Sequence, residues 1–342
     1  MTNQQIAEII GEPEYLLHRY DEAGDQFQFL HVPRETHRSS TFLTSDYLPP
    51  DLRAVYLNRQ SVLATDPKPG PIHFIFHSAY CCSTMLARAF DIEGVSMGLK
   101  EPVVLNDMIG WRRRGGHPAK IGEVLHQSLD LLARPFRPGE VMVVKPSNIV
   151  NSLADAMLAM RPGASALLLY APLRSYLISI VKKGLWGRLW VRELLVGLLK
   201  DGALHMQLST EELLGLTDIQ IAAVGWLSQH RAFADLLTKY GNARIKTLNS
   251  EVLLTRSADC IAALAAHYRL ELADEQIQAV IDGPAFGRHS KFDGNFDAES
   301  RAQEQEEAAR LHHDEIEKVT IWAEALASSQ GISMMIEGAL LS

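Results

Sequence analysis

The sequence predicts a three-layer α/β/α fold with a central parallel sheet and helical inserts, and three observations predict it. Short apolar runs recur at 72–76 (IHFIF), 141–145 (VMVVK), 164–170 (ASALLLY) and 243–248 (ARIKTL), each the length of a buried strand. Helix-periodic segments long enough to cross over between parallel strands lie between them. The composition is ordinary for a globular chain: of 342 residues, 47% are hydrophobic and 22% charged, enough to form a sizeable core.

Residues 1–70 read as an extension, with a short helix at 3–10, a strand at 26–32 and turn signals at Tyr47–Pro50 and Asp66–Gly70. The main domain spans 71–335. After strand 72–76 come a polar loop, a helix at 84–91, a strand near 95–99 and an apolar segment at 102–109. A basic loop follows at 111–120 (WRRRGGHPAK), then a helix at 121–134 and strand 141–145. Helices are expected at 151–161, 174–200, 217–240, 257–268 and 273–282, with a long one near 298–329. Ser209–Glu212 has the form of a capping box. Residues 183–240 read as a helical insert. Within it Trp186 and Trp190 stand four apart beside Leu185 and Leu189, a stripe expected in the core or lining an acceptor pocket. The charged run at 298–318 reads as a solvated helix face.

A formal charge of −8 gives no general attraction to nucleic acid or anionic lipid, so an anion site must be a local cluster of donors. The three cysteines, Cys81, Cys82 and Cys260, lack metal-ligand spacing, so no metal site is expected, and their number suits a reducing compartment. The first residues show no basic segment followed by an apolar core, and Pro172 and Arg174 interrupt the most apolar stretch. A cytoplasmic chain without a membrane span is expected.

The segment His77-Ser78-Ala79-Tyr80-Cys81-Cys82-Ser83-Thr84 joins the first core strand to a helix. Backbone N–H groups and hydroxyls gathered there suit a phosphate or sulfate, which makes the fold P-loop-type. The same residues also read as a plain strand-to-helix turn with a Ser/Thr cap. Set against GxxxxGK[ST] and aligned on Thr84, His77 and Cys82 replace the glycines and Ser83 the lysine.

The run FIFHSAYCCSTMLARAF resembles the phosphosulfate loop of bacterial sulfotransferases, [KR]-S-G-[ST]-T-x-[LW]. On that match Tyr80 takes the basic position, Cys81 the serine, Cys82 the glycine, and Ser83 and Thr84 the hydroxyl pair. VMVVKPSNIVNSLADAMLAMRPGASALLLYAPLRSYLISIVKKG is similar to the family's second block, with Ser179 at the serine that binds the donor's 3′-phosphate. The matching arginine slot falls near Tyr170 or Ala171, and Arg174 stands a few residues on. ARIKTLNSEVLLTRSADCIAALAAHYRLEL is similar to a further segment, with Glu251 at its acidic position. GPAFGRHSKFDG resembles the loop that closes over the donor and contributes Arg288, Ser290 and Lys291.

The resemblance covers about residues 70–330 and implies sulfuryl transfer from 3′-phosphoadenosine-5′-phosphosulfate to a hydroxyl or amine, with no metal required. The acceptor would be a small molecule, glycan or lipid, and a homodimer is compatible. Ser78 to Thr84 would bind the phosphosulfate. Lys145, at a strand end, would supply the cation that Tyr80 does not, and His77 or Glu101 would be the base. Two alternatives are a non-catalytic nucleotide-binding relative and an ATP-using kinase or hydrolase. The latter would need magnesium and lacks the P-loop lysine.

Overall fold

The structure, a computed structural model, describes residues 1–287 and 298–341. Arg288, Ser290 and Lys291, named above, lie outside the described residues. Two sheets form. The first is antiparallel, in the order β1 (Tyr15–Asp21), β2 (Gln26–His31), β3 (Ala54–Asn58). The second contains β4 (Ile72–His77), β5 (Ser96–Lys100), β6 (Val141–Lys145), β7 (Ala166–Tyr170) and β8 (Ile245–Asn249), in the order β5-β6-β4-β7-β8. It is a parallel sheet flanked by helices, so the predicted α/β class holds. Every residue of β4 to β7 is buried, as continuous apolar runs require when both sheet faces are covered.

The chain divides into two compact units. One comprises residues 1–76, 84–166 and 264–286, the other 77–83, 167–263 and 287–342. The first unit carries α1 (Asn3–Gly11), α2 (Arg34–Ser39), α3 (Arg59–Leu63), most of α4 (Ser83–Ala89), α5 (Val104–Arg113), α6 (Pro118–Leu132) and α7 (Ala154–Met160). The second carries α8 (Leu173–Lys182), α9 (Gly184–Lys200), α10 (Thr210–Leu214), α11 (Asp218–Tyr240) and α12 (Ser250–Thr255). Next come α13 (Ser257–His267), α14 (Asp274–Ile281) and α15 (Pro284–Gly287), then α16 (Ala298–Leu311) and α17 (His313–Ser329) in the second unit.

In the first unit Tyr268 fastens β4. Its hydroxyl donates to the Phe74 carbonyl at 3.0 Å and its ring stacks on His73, whose Nδ1 accepts from Ser165 N at 2.9 Å. Arg134, buried, ends α1 by donating to the carbonyls of Ile10 (2.8 Å), Glu12 (3.3 Å) and Tyr15 (2.5 Å), satisfying acceptors that the helix end leaves open. Gly98 of β5 lets α4 approach the sheet. A Cβ there would lie 1.8 Å from the Ala87 carbonyl oxygen, which is backbone and cannot swing away. Gly98→Ala is therefore expected to destabilise the protein by about 3 kcal/mol, read as a lower urea midpoint at unchanged slope.

Several sequence expectations shift. Residues 111–113 of the basic loop complete α5, because Trp111 packs on Tyr20 and Arg112 donates to the Ser152 hydroxyl at 2.6 Å. The expected long C-terminal helix breaks at His312 into α16 and α17. Strands β1 and β3 were not anticipated. The Leu185–Trp186–Leu189 stripe does not join the core: these residues are 72%, 60% and 52% exposed. The Ser209–Glu212 capping box is present, each partner bonding the other's backbone.

Candidate functional site: the loop after the central strand

In an open α/β sheet, ligands bind beyond the carboxyl ends of the strands, next to the strand where the connection order reverses. That strand is β4, and the chain leaving it turns through 78–82 into α4. Ala79 (φ 68°), Tyr80 (φ 51°) and Cys82 (φ 62°) all adopt the left-handed conformation, three non-glycine residues within four positions. Each costs roughly 1–2 kcal/mol. A loop wound this way turns successive N–H groups toward one concavity, a geometry that suits an anion.

Struts within the second unit hold the strained loop. Ser78 is fully buried; its N–H donates to the Leu169 carbonyl at 3.0 Å, and its hydroxyl accepts from Ala171 N at 3.3 Å. His77 Nδ1 accepts from Ala79 N at 3.1 Å, so a neutral His77 carries its proton on Nε2. Ala171 is fixed in turn by Trp226, whose Nε1 donates to its carbonyl at 2.8 Å. His230 stacks on Trp226 with ring centroids 3.4 Å apart, and burial holds its pKa down to about 3.

Tyr80, which stands where the resembling loops carry a cation, is packed among aromatic rings. It meets Trp190 edge-on at 5.4 Å and Tyr176 at 6.0 Å, and Trp190 stacks on Trp186. Burial pushes the Tyr80 phenol up to about 12, so it is neutral at ordinary pH and offers an O–H rather than a positive charge. The hydroxyl of Tyr176 is buried without a hydrogen-bond partner among the described residues. Tyr176 went unnoticed in the sequence because it sits inside a helix-periodic apolar run. Cys81, Ser83 and Thr84 are buried, and Cys82 is half-buried.

Along α8, Ser179 donates its hydroxyl to the Ser175 carbonyl at 2.9 Å, and Arg174 pairs with Glu317 at 2.9 Å near the surface. Ser175 donates to Glu251 at 2.5 Å, which gives that carboxylate a partner on α8. The Ser179 hydroxyl must release the Ser175 carbonyl before it can donate to a phosphate.

In the first unit, Lys145 and Glu101, chosen separately from the sequence, form an ion pair. Lys145 is 1% exposed, and its ammonium lies 4.9 Å over the Phe42 ring. Glu101 is left-handed (φ 54°) and its N–H donates to the Lys145 carbonyl at 2.7 Å. Lys100, missed in the sequence, stands in register with Lys145 across β5 and β6. Its ammonium caps α2 through the His37 and Arg38 carbonyls, and burial, then Arg88, lowers its pKa to about 7. The only signal for it was a lysine at a strand end. Among the described residues, no group of three or more His, Cys, Asp or Glu is placed to hold a metal, and no helix is long and apolar enough to cross a membrane.

The loop strain is testable. Cys82→Gly is expected to leave stability within about 1 kcal/mol of the native value, because relief of the left-handed strain offsets glycine's greater unfolded-state entropy. Cys82→Val, with a β-branched residue at φ 62°, is expected to lose about 2 kcal/mol. Urea denaturation of the two variants distinguishes them.

No protein-family model matches this chain, and no curated protein does. The solved structures similar to it include two sulfotransferase domains. The sulfotransferase domain from the Synechococcus PCC 7002 olefin synthase is 13% identical over 64% of this chain and 79% of its own, with a TM-score of 0.41. The sulfotransferase domain from the curacin biosynthetic pathway is 13% identical over 65% of this chain and 81% of its own, also with a TM-score of 0.41.

Proposed function

We propose that this protein transfers a sulfuryl group from 3′-phosphoadenosine-5′-phosphosulfate to a hydroxyl or amine acceptor. The observation that carries the proposal is the three-fold left-handed winding of residues 79–82 after the central strand. Strain of this kind persists where the surroundings over-determine it, and it concentrates at ligand sites. The order of sequence blocks that resemble sulfotransferases supports sulfuryl rather than phosphoryl transfer, as does Ser83 in place of a P-loop lysine.

In this reaction the acceptor oxygen or nitrogen attacks sulfur, the bond from sulfur to the phosphate oxygen breaks, and the acceptor's proton passes to a base. The 3′,5′-bisphosphate leaves. In the loop at 78–84, the N–H groups of Ser78 and Ala79 brace the turn through the Leu169 carbonyl and His77 Nδ1, and the backbone that follows, with Ser83 and Thr84, holds the phosphosulfate. Lys145 neutralises charge on the leaving oxygen, and Glu101, its ion-pair partner, takes the proton; His77 is the other candidate base. Arg174 and Ser179, together with Arg288, Ser290 and Lys291, take the nucleotide end.

One observation favours a second function, nucleotide binding without turnover. The cation's place in the loop holds Tyr80, neutral and packed against Trp190. Thermal shift with 3′-phosphoadenosine-5′-phosphate, and separately with ATP–magnesium, tests binding. A ligand at a hundred times its dissociation constant adds about 2.7 kcal/mol. A rise with the bisphosphate alone supports both functions, and release of labelled sulfuryl groups from the donor to an acceptor panel separates them. No rise, or a rise only with ATP–magnesium, rejects sulfuryl transfer and moves the search to phosphoryl transfer or a non-catalytic role.

A further inference from the structure

Helix α9 has two apolar faces. Gly187, Val191, Leu194 and Leu195 are buried on the side that packs against α8 and α11. The opposite side carries Leu185, Trp186, Leu189, Val196 and Leu199, which are 48–72% exposed. At about 100° per residue, Leu185, Leu189, Arg192, Val196 and Leu199 fall on one stripe, flanked by Trp186, Glu193 and Lys200. Solvated helices do not ordinarily show water so many large apolar side chains, and a contiguous patch of this kind marks an interaction surface.

The pattern is also self-complementary. About a midpoint between Arg192 and Glu193, an antiparallel copy of the helix sets Leu189 against Val196 and Trp186 against Leu199. Leu185 then faces the alkyl stem of Lys200. At the centre Arg192 of each copy meets Glu193 of the other, opposite charges where a parallel alignment would place like on like. Arg192 also pairs with Asp218 of its own chain, which holds the guanidinium in place while it remains 45% exposed. A two-fold axis requires a surface that matches itself, and this stripe does.

We propose that α9 is a homodimer interface in which two copies of this chain pair antiparallel through Leu185, Leu189, Val196 and Leu199, with Arg192–Glu193 pairs at the two-fold axis. This does not depend on the sulfuryl-transfer proposal. One helix face lies at the small end of specific interfaces, where weak, reversible association is expected. Sedimentation velocity of the full chain across a concentration series should show a reversible monomer–dimer equilibrium. Leu189→Glu should weaken it at least tenfold, as should Glu193→Arg, which sets arginine against Arg192. Both sites are exposed, so circular dichroism and melting temperature should match the native chain. A chain that stays monomeric at 100 μM or more overturns the proposal, because the face then serves another ligand or another segment. A dimer indifferent to both substitutions overturns it too.

Discussion

Acidification from pH 6 to pH 5 is expected to remove on the order of 4 kcal/mol of folding stability, a large share of what a domain possesses. His18, His37, His73 and His230 are four of the histidines that are almost wholly buried. Burial is the leading cause in each, and it holds their pKa values to about 4, 3, 4 and 3. Nearby cations, Arg19 beside His18 and Lys100 beside His37, add to it. In the unfolded chain the same residues titrate near 6.5. Above that pH neither state binds the protons and stability is complete. Below it the unfolded state takes up protons that the folded state refuses, so stability falls until the pH reaches the folded values of 3–4. Each proton contributes about 1.4 kcal/mol per pH unit. Urea midpoints at pH 7, 6 and 5 measure this, with a steep fall between the last two. A flat profile would mean that these histidines are solvated or paired in the folded protein.

Lys145→Met is expected to have the second large effect. Lys145 is 1% exposed and ion-paired with Glu101, so its removal leaves a partly buried carboxylate without its cation, at a cost of about 3 kcal/mol. Replacing both residues, as in Lys145→Met with Glu101→Leu, should recover much of that stability, because the stranded charge goes too. Transfer activity should not recover. Loss of a cation that stabilises developing charge costs roughly 10²–10³ in kcat, and the double variant also lacks the candidate base. Stability restored without activity assigns the pair a chemical role. Activity restored with stability would make it a structural pair only.

The sheet was legible in the sequence where burial is two-sided. IHFIF, VMVVK and the 164–170 run are unbroken apolar stretches, and they became β4, β6 and β7. β1 and β3 were not legible, because a one-faced sheet mixes polar and apolar residues and Tyr56 and Asn58 of β3 face solvent. The α9 stripe misled for a related reason: helical periodicity reports two apolar sides without saying which is covered. In the loop, residue types pointed to an anion site, yet the winding was hidden, since Ala79, Tyr80 and Cys82 are not residues that announce a positive φ. The mutual pairing of Lys145 with Glu101 lay across two strand ends that only the sheet order brings side by side.

The most direct test of the central claim is a calorimetric titration of 3′-phosphoadenosine-5′-phosphate into the native chain and into Cys82→Val. If the loop at 78–84 is the donor site, the native chain binds one equivalent without magnesium, and the variant, its loop rewound, binds at least tenfold more weakly. Absence of binding to the native chain, or equal affinity in the two, would contradict it.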